Sequence, residues 1–339
     1  MKQPLAATPV AFVRAMLLAY EKYGVDPRPA LRESQIAPSL VRQPDGRITA
    51  TQMETFSGHA MRALDDEALG WFSRRLPWGS YGLLCRASLG SPSLGVALAR
   101  WCRHHALLTL GEARLMLEMH DGVARLSFHE ARDFGAFREF CVVTHLRALH
   151  GYACWAIDSR IPLLESSFPF PAPPHRDAYA LMFPGGALRF ESSGPACIVF
   201  DAQYLALPLR RDERALRTML QRALPLTVRP YRRDRLLAQR VRELLRADGG
   251  GATAAALART LHVSERTLHR QLAEEGAALQ ALKDAVRRDL AVDALTRTSR
   301  AVKQVALAVG FRNEKSFSRA FRGWTGQSPA AYRRSAKRP

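Results

Sequence analysis

The chain has 339 residues, 50 Lys and Arg against 31 Asp and Glu, a formal net charge of +19 and 47% hydrophobic residues. So much apolar material excludes disorder of the whole chain and suggests two or three domains. No uncharged apolar run approaches the ~18 residues that cross a bilayer, and Arg14 interrupts the only candidate near the start, so no membrane contact is expected.

In chain order, helical apolar spacing predicts helices over 9–23, 50–64, 92–108 and 134–157, the third introduced by Ser91 as cap with Pro92 in its first turn. Between the last two, Leu115, Leu117 and Met119, then Ala124, Leu126 and Phe128, alternate about Asp121 and Gly122, which predicts a hairpin. The proline-dense stretch IPLLESSFPFPAPPHRD (161–177) cannot continue a helix and is expected as a loop. ALRFES (187–192) and ACIVFD (196–201) extend the sheet, and a helix follows near 211–224. Residues 1–225 thus read as an α+β regulatory domain, cut from the rest near Pro225 and Pro230.

Residues 226–339 hold 24 Lys and Arg against 10 Asp and Glu, a net +14 that leaves only +5 for the first 225 residues. A basic domain joined to a nearly balanced one points to an anionic polymer or surface as partner of the basic part alone. Leu237, Val241, Leu244 and Leu245 recur at helical spacing until glycines 249–251 stop the helix.

An internal repeat follows. SERTLHRQL (264–272) and NEKSFSRAF (313–321) align at an offset of 49. Ser264 and Asn313 suit N-caps, and Glu265 and Glu314 place carboxylates in the first turn, so each copy starts a helix. Leu268 with Leu272, and Phe317 with Phe321, form buried stripes; Phe311 and Trp324 join that core. Arg266, His269 and Arg270, and Lys315, Ser318 and Arg319, lie on a different face at i, i+3, i+4 spacing. Each copy is preceded by a short helix with a small residue, Ala258 or Ala306, and a tight turn in which Gly310 suits a positive φ.

This is an all-α domain with two helix-turn-helix units, at 252–275 and 301–324, joined by a helix over 277–296. At 1.5 Å per residue the joining helix spans about 30 Å, near the ~34 Å of one turn of B-DNA, so one chain can reach two successive major-groove segments of double-stranded DNA. Arg266, His269, Arg270, Glu314, Lys315, Ser318 and Arg319 are the candidates for base edges. Arg287, Arg288, Arg300, Arg322, Arg333 and Arg334 are the candidates for phosphate.

Catalysis has little support. His104 and His105 are adjacent and His145 and His150 are five apart, so neither pair has the i, i+4 spacing that aims two imidazoles at one metal, and there is no P-loop, G-x-G-x-x-G or G-x-S-x-G. Five scattered cysteines, never spaced C-x-x-C, argue against disulfides and a cysteine zinc site; a cytoplasmic protein without metal or cofactor is expected. Arg74 or Arg75 with Trp78, Tyr81, Trp101 and Trp155 could line a pocket for a small polar metabolite, Asp133 or Glu139 taking an ammonium. Two other classes remain open: an enzyme whose basic domain localises it to nucleic acid, marked by turnover of a small molecule, and an RNA-binding protein, marked by preference for single strands.

Residues 233–334 resemble the DNA-binding domain of the AraC/XylS transcription regulators. The match is carried by VALAVGFRNEKSFSRAFRGWTGQSPAAYR, with Val305, Ala306, Gly310, Phe311, Phe317, Arg319, Phe321, Gly326, Pro329, Tyr332 and Arg333 in place. LARTLHVSERTLHRQLAEEG is similar to the first motif, with His262 where many members have glycine. Residues 5–215, with Gly70, Gly79, Tyr81, Gly82, Leu94, Ala97 and FPGGALRF, resemble the arabinose-binding-type effector domain of one branch, nearest to regulators of ornithine utilisation. The resemblance implies a ligand-responsive activator of a catabolic operon, ornithine or a related amino acid as effector, and RNA polymerase as a partner; it leaves homodimerisation open.

Overall fold

In the computed structural model, which describes residues 6–221, 234 and 236–336, the chain divides into two compact units, Met1–Arg233 and Asp234–Pro339. Pro225 and Pro230, where the sequence suggested the cut, lie outside the described residues.

The first unit opens with β1 (Ala6–Pro9) and α1 (Val10–Tyr23), whose left-handed Gly24 ends the helix, then α2 (Arg28–Glu33) and α3 (Pro38–Val41). The strand β2 (Arg47–Thr49) pairs antiparallel with β1 and leads into α4 (Ala50–Ala63). There Thr49 and Gln52 form a reciprocal capping box. Next come α5 (Ser80–Leu89) and α6 (Leu94–Leu108); the latter takes Ser93 as its N-cap, so Ser91 and Pro92 stand just outside the helix they were expected to begin.

The hairpin forms as alternation predicts: β3 (Ala113–His120) and β4 (Val123–Glu130) pair in register through Asp121 and Gly122, both at positive φ. The long helix α7 (Arg138–Ala156) packs against β4. After it the structure corrects the sequence reading. Leu163–Ser167, expected within a loop, is the strand β5; α8 (Asp177–Met182), β6 (Ala187–Arg189), β7 (Ala196–Asp201) and α9 (Glu213–Leu220) follow. Pro162 and Pro169 flank β5 and do not enter it, which is where a sheet tolerates proline. The sheet order is β3-β4-β7-β5-β6, antiparallel except for β5 with β6. Every residue of β7 but Asp201 is buried, so it reads as a continuous apolar run.

The second unit is all helix: α10 (Leu237–Ala247), α11 (Ala254–Thr260), α12 (Glu265–Glu274), α13 (Leu279–Arg297), α14 (Val302–Ala308), α15 (Glu314–Thr325) and α16 (Pro329–Ala336). It has two cores. Leu237, Val241, Leu245, Leu257, Leu268, Leu272, Leu282 and Val286 make the first; Leu295, Val305, Ala306, Phe317 and Phe321 make the second, with Phe311 and Trp324 packed at its margin. Leu290 on α13 packs against both, so the joining helix is the shared wall of two small bundles. The Glu275 carboxylate accepts from the amides of Leu237 and Ala238 at 3.1 and 3.0 Å, tying the end of the first motif to the start of α10, where a negative charge is favoured. Among the described residues no helix is long and apolar enough to cross a membrane.

Candidate DNA interface and effector pocket

Each motif begins as its sequence dictates. The Ser264 hydroxyl accepts from the Thr267 amide at 3.1 Å and the Asn313 side chain from the Ser316 amide at 2.8 Å, so both second helices carry an N-cap. Ala258 and Ala306 are buried beneath them. The turn preceding each helix reverses on one left-handed residue, Gly310 at φ 78° and His262 at φ 53°. Arg266, His269 and Arg270 on α12 are exposed, as are Glu314, Lys315 and Arg319 on α15; Ser318 is half-buried. Arg270 Nε lies 4.0 Å from Glu274, a loose pair that leaves its guanidinium available.

The expected phosphate contacts divide. Arg300, Arg322 and Arg334 are exposed, and exposed Arg288 pairs with Asp289 at 2.8 Å. Arg287 and Arg333 are engaged within the domain. Arg287 Nε donates to the Gly250 carbonyl at 2.9 Å and its guanidinium stands 5.0 Å over the Phe311 ring; Arg333 donates to the carbonyls of Leu295 and Arg300 at 3.2 and 2.6 Å. Helix and turn carbonyls left without partners recruit these two cations, which gives them structural duties inside the domain.

The first unit holds a cavity of about 570 Å³ bounded by α4, α5, α6, α7 and the end of α9. Trp78 and Tyr81, read from the sequence as pocket residues, line it, as does Trp101. The other sequence choices are corrected. Arg74 donates to the Leu108 carbonyl at 2.9 Å, Arg75 stacks over Tyr23 at 4.3 Å, and Asp133 accepts from the Gly135 amide at 2.8 Å. Glu139 is engaged by His175 and Tyr179, each at 2.7 Å, and none of these four lines the cavity; nor does Trp155.

The charged groups that do line it are Glu33, Glu54, Glu67, Arg62 and Arg86. Glu67 accepts from the amides of Gly79 and Tyr81 at 2.7 and 2.6 Å, capping the start of α5, and burial raises its carboxyl above the usual range. Arg62 lies 5.6 Å over half-exposed Trp78, and Arg86 pairs with Glu213 of α9 at 3.1 Å. The inner end is aromatic and uncharged: Trp71, Phe72, His105 and His145 are in ring contact, with His105 and His145 4.9 Å apart. His145 Nδ1 sits 2.7 Å from the Cys141 carbonyl, so that nitrogen carries the proton and Nε2 is an acceptor. Burial lowers His145 to about 4 and holds His105 well below the usual imidazole range. Sequence separation hid this pairing, because positions 105 and 145 meet only when α6 packs beside α7.

The match to known domains covers both units. Residues 24–209 match the arabinose-binding N-terminal domain of AraC transcription regulators, and residues 257–335 match a helix-turn-helix domain. The chain belongs to the AraC family of transcription regulators. This AraC-family chain is 31% identical to the "Ornithine utilization regulator" of Pseudomonas aeruginosa over 98% of its own length and 99% of the relative's. It is 37% identical to the regulator VqsM of the same organism over 23% of this chain and 24% of the relative, within 78 residues. The crystal structure of the Pseudomonas aeruginosa regulator CdpR aligns over 95% of this chain and 97% of that one, at 18% identity and a TM-score of 0.36. An AraC-family regulator binds DNA through its helix-turn-helix domain, and the N-terminal match marks the first unit as an effector-binding domain.

Proposed function

We propose that this AraC-family protein activates a catabolic operon when a small charged metabolite occupies the cavity of its first unit. The observation that carries this reading is the cavity's last wall. Leu220 and Gln221 line it, at the end of α9, a helix that precedes the DNA-binding unit in sequence. A ligand that touches α9 has a physical means of shifting the regulator between two states, provided it binds them unequally. Arg62 and Arg86 suit a carboxylate, and Glu54 and Glu67 an ammonium, which is the polarity of an amino acid. The name of the full-length relative makes ornithine the first candidate.

In this reading α12 and α15 read two different boxes about one helical turn apart through Arg266, His269 and Arg270, and through Glu314, Lys315, Ser318 and Arg319. Arg288, Arg300, Arg322 and Arg334 hold phosphates, and RNA polymerase is the protein partner that activation requires. One copy per site protects two boxes and a homodimer protects four. Footprinting the full-length protein on its own upstream region, with and without ornithine and a panel of amino acids, tests the proposal. Ligand-dependent protection of paired boxes supports it, and protection indifferent to every ligand contradicts it.

A further inference from the structure

Ornithine does not account for the inner end of the cavity. A volume of about 570 Å³ falls in the ~300–1,000 Å³ range of sites that enclose larger ligands, and an unbranched amino acid held by the outer charges would leave the aromatic chamber unfilled. That chamber also contains buried polar atoms without partners. His105 is 3% exposed and neither of its ring nitrogens has a hydrogen-bonding partner among the described residues; Trp71 is 4% exposed and its indole Nε1 has none among them either. The Tyr81 hydroxyl, also in the wall and beside the Cys85 thiol, is a fourth such atom.

Native proteins leave few buried polar groups unsatisfied, and such groups gathered on one cavity mark the place of a ligand's own polar atoms. Trp71 and His105 both line the cavity and both make ring contact with Phe72 and with His145, so their orphaned atoms belong to one cluster of rings in its wall. The indole can only donate. A neutral imidazole donates from one nitrogen and accepts at the other. A carbonyl could accept from the indole and from the imidazole N–H but would leave the imidazole's acceptor nitrogen unanswered; a hydroxyl accepts from the indole and donates to that nitrogen. A carboxylate would meet no cation there among the described residues, since the lining arginines, Arg62 and Arg86, are exposed, and burying an unpaired charge is costly. The four rings offer faces and edges to a further flat ring.

We propose that the effector is a hydroxyaryl amine or amino acid. Its ring packs against the cavity-facing sides of Trp71, Phe72, His105 and His145, its hydroxyl answers Trp71 and His105, and its charged end stays among Glu54, Glu67, Arg62 and Arg86. This rests on the reading that the cavity is the effector site, and departs from it on what the site selects.

The test is calorimetric titration of the full-length protein with tyramine and phenethylamine, L-tyrosine and L-phenylalanine, and ornithine. A hydroxyl that satisfies buried partners should favour at least one hydroxylated probe by about tenfold over its deoxy counterpart and over ornithine. Trp71→Phe keeps a ring and deletes the N–H, and should bring the ratio of hydroxylated to deoxy probe close to one while leaving the deoxy probe's affinity within about twofold. That retained affinity shows the variant is folded; His105→Phe is the second variant, with the same expected loss of preference. Ring probes bound without preference for the hydroxyl overturn the proposal. Ornithine binding alone, with an effect on DNA affinity, overturns it and leaves the effector reading standing. If no probe binds and none alters DNA affinity, both fall.

Discussion

His262 and Gly310 stand at the same place in the two motifs, each four residues after the buried alanine of the first helix, and both adopt a left-handed backbone. The geometry of the turn, not the identity of the residue, is what the repeat preserves. An L side chain in this region costs about 1–2 kcal/mol, offset in part by the freedom glycine has when unfolded. His262→Gly should therefore stabilise the second unit by about 0.5–1 kcal/mol. Gly310→Ala should destabilise it by at least as much, since its Cβ would also lie 3.1 Å from Gly251 Cα. The C-terminal transition in urea melts checks both signs.

Arg287→Ala should lower stability, because it removes a charged donor to the Gly250 carbonyl and the cover over Phe311. A loss of about 1–3 kcal/mol is expected. Arg322→Ala leaves stability within about 0.5 kcal/mol and instead weakens binding to all duplexes alike. Melts and salt-dependent binding on the same two variants separate the roles.

Arg266→Ala or Arg270→Ala should cost about 1–3 kcal/mol of DNA binding and relax preference in one box, and Arg319→Ala in the other. Binding to a panel of single-base operator variants distinguishes these from a phosphate contact. If Arg270→Ala and Arg322→Ala give the same uniform loss, the division of labour proposed for them is wrong.

His145 and His150 are held near 4 by burial, against about 6.5 in the unfolded chain. The folded values are depressed, so the contribution is intact above pH 6.5 and is lost as pH falls from 6.5 towards 4, where only the unfolded state has taken up the protons. The two groups together give a slope of up to ~2.7 kcal/mol per pH unit in that window. Melting of the first unit between pH 7 and 5 should show it, and His150→Gln should reduce it.

The C-terminal unit was legible in the sequence because its cues are local: caps at Ser264 and Asn313, stripes four residues apart, and a turn glycine. What the sequence did not show there is that two phosphate candidates, Arg287 and Arg333, are drawn to carbonyls of distant segments, 37 and 38 residues away. In the first unit the hairpin at Asp121 and Gly122 was equally local. The strand Leu163–Ser167 was not, since its only support is pairing with β6 and β7. The pocket was the least legible. Of the aromatic candidates named from the sequence, Trp78, Tyr81 and Trp101 line it and Trp155 does not. Glu67, Arg86, His105 and His145 converge only through the packing of α5, α6 and α7 with the turn that carries Glu67, and nothing in their spacing announces it.

Gly82 of α5 faces α9: a Cβ there would stand 3.2 Å from Leu220 Cδ1. Gly82→Leu should push into that contact and the adjoining cavity, reducing effector affinity at least tenfold while leaving effector-free DNA binding unchanged. Parallel effector titrations and gel-shift measurements decide it, and loss of DNA binding without effector would place α9 in the DNA-binding machinery itself.

The coupling of the cavity to DNA binding is tested most directly by titrating the effector into full-length protein, free and saturated with the duplex recovered by footprinting. Linkage requires DNA to change effector affinity by the same factor, typically ~5- to 150-fold, by which the effector changes DNA affinity. Two matching factors are the predicted result. An effector that binds the free and the DNA-bound protein with equal affinity would contradict the account.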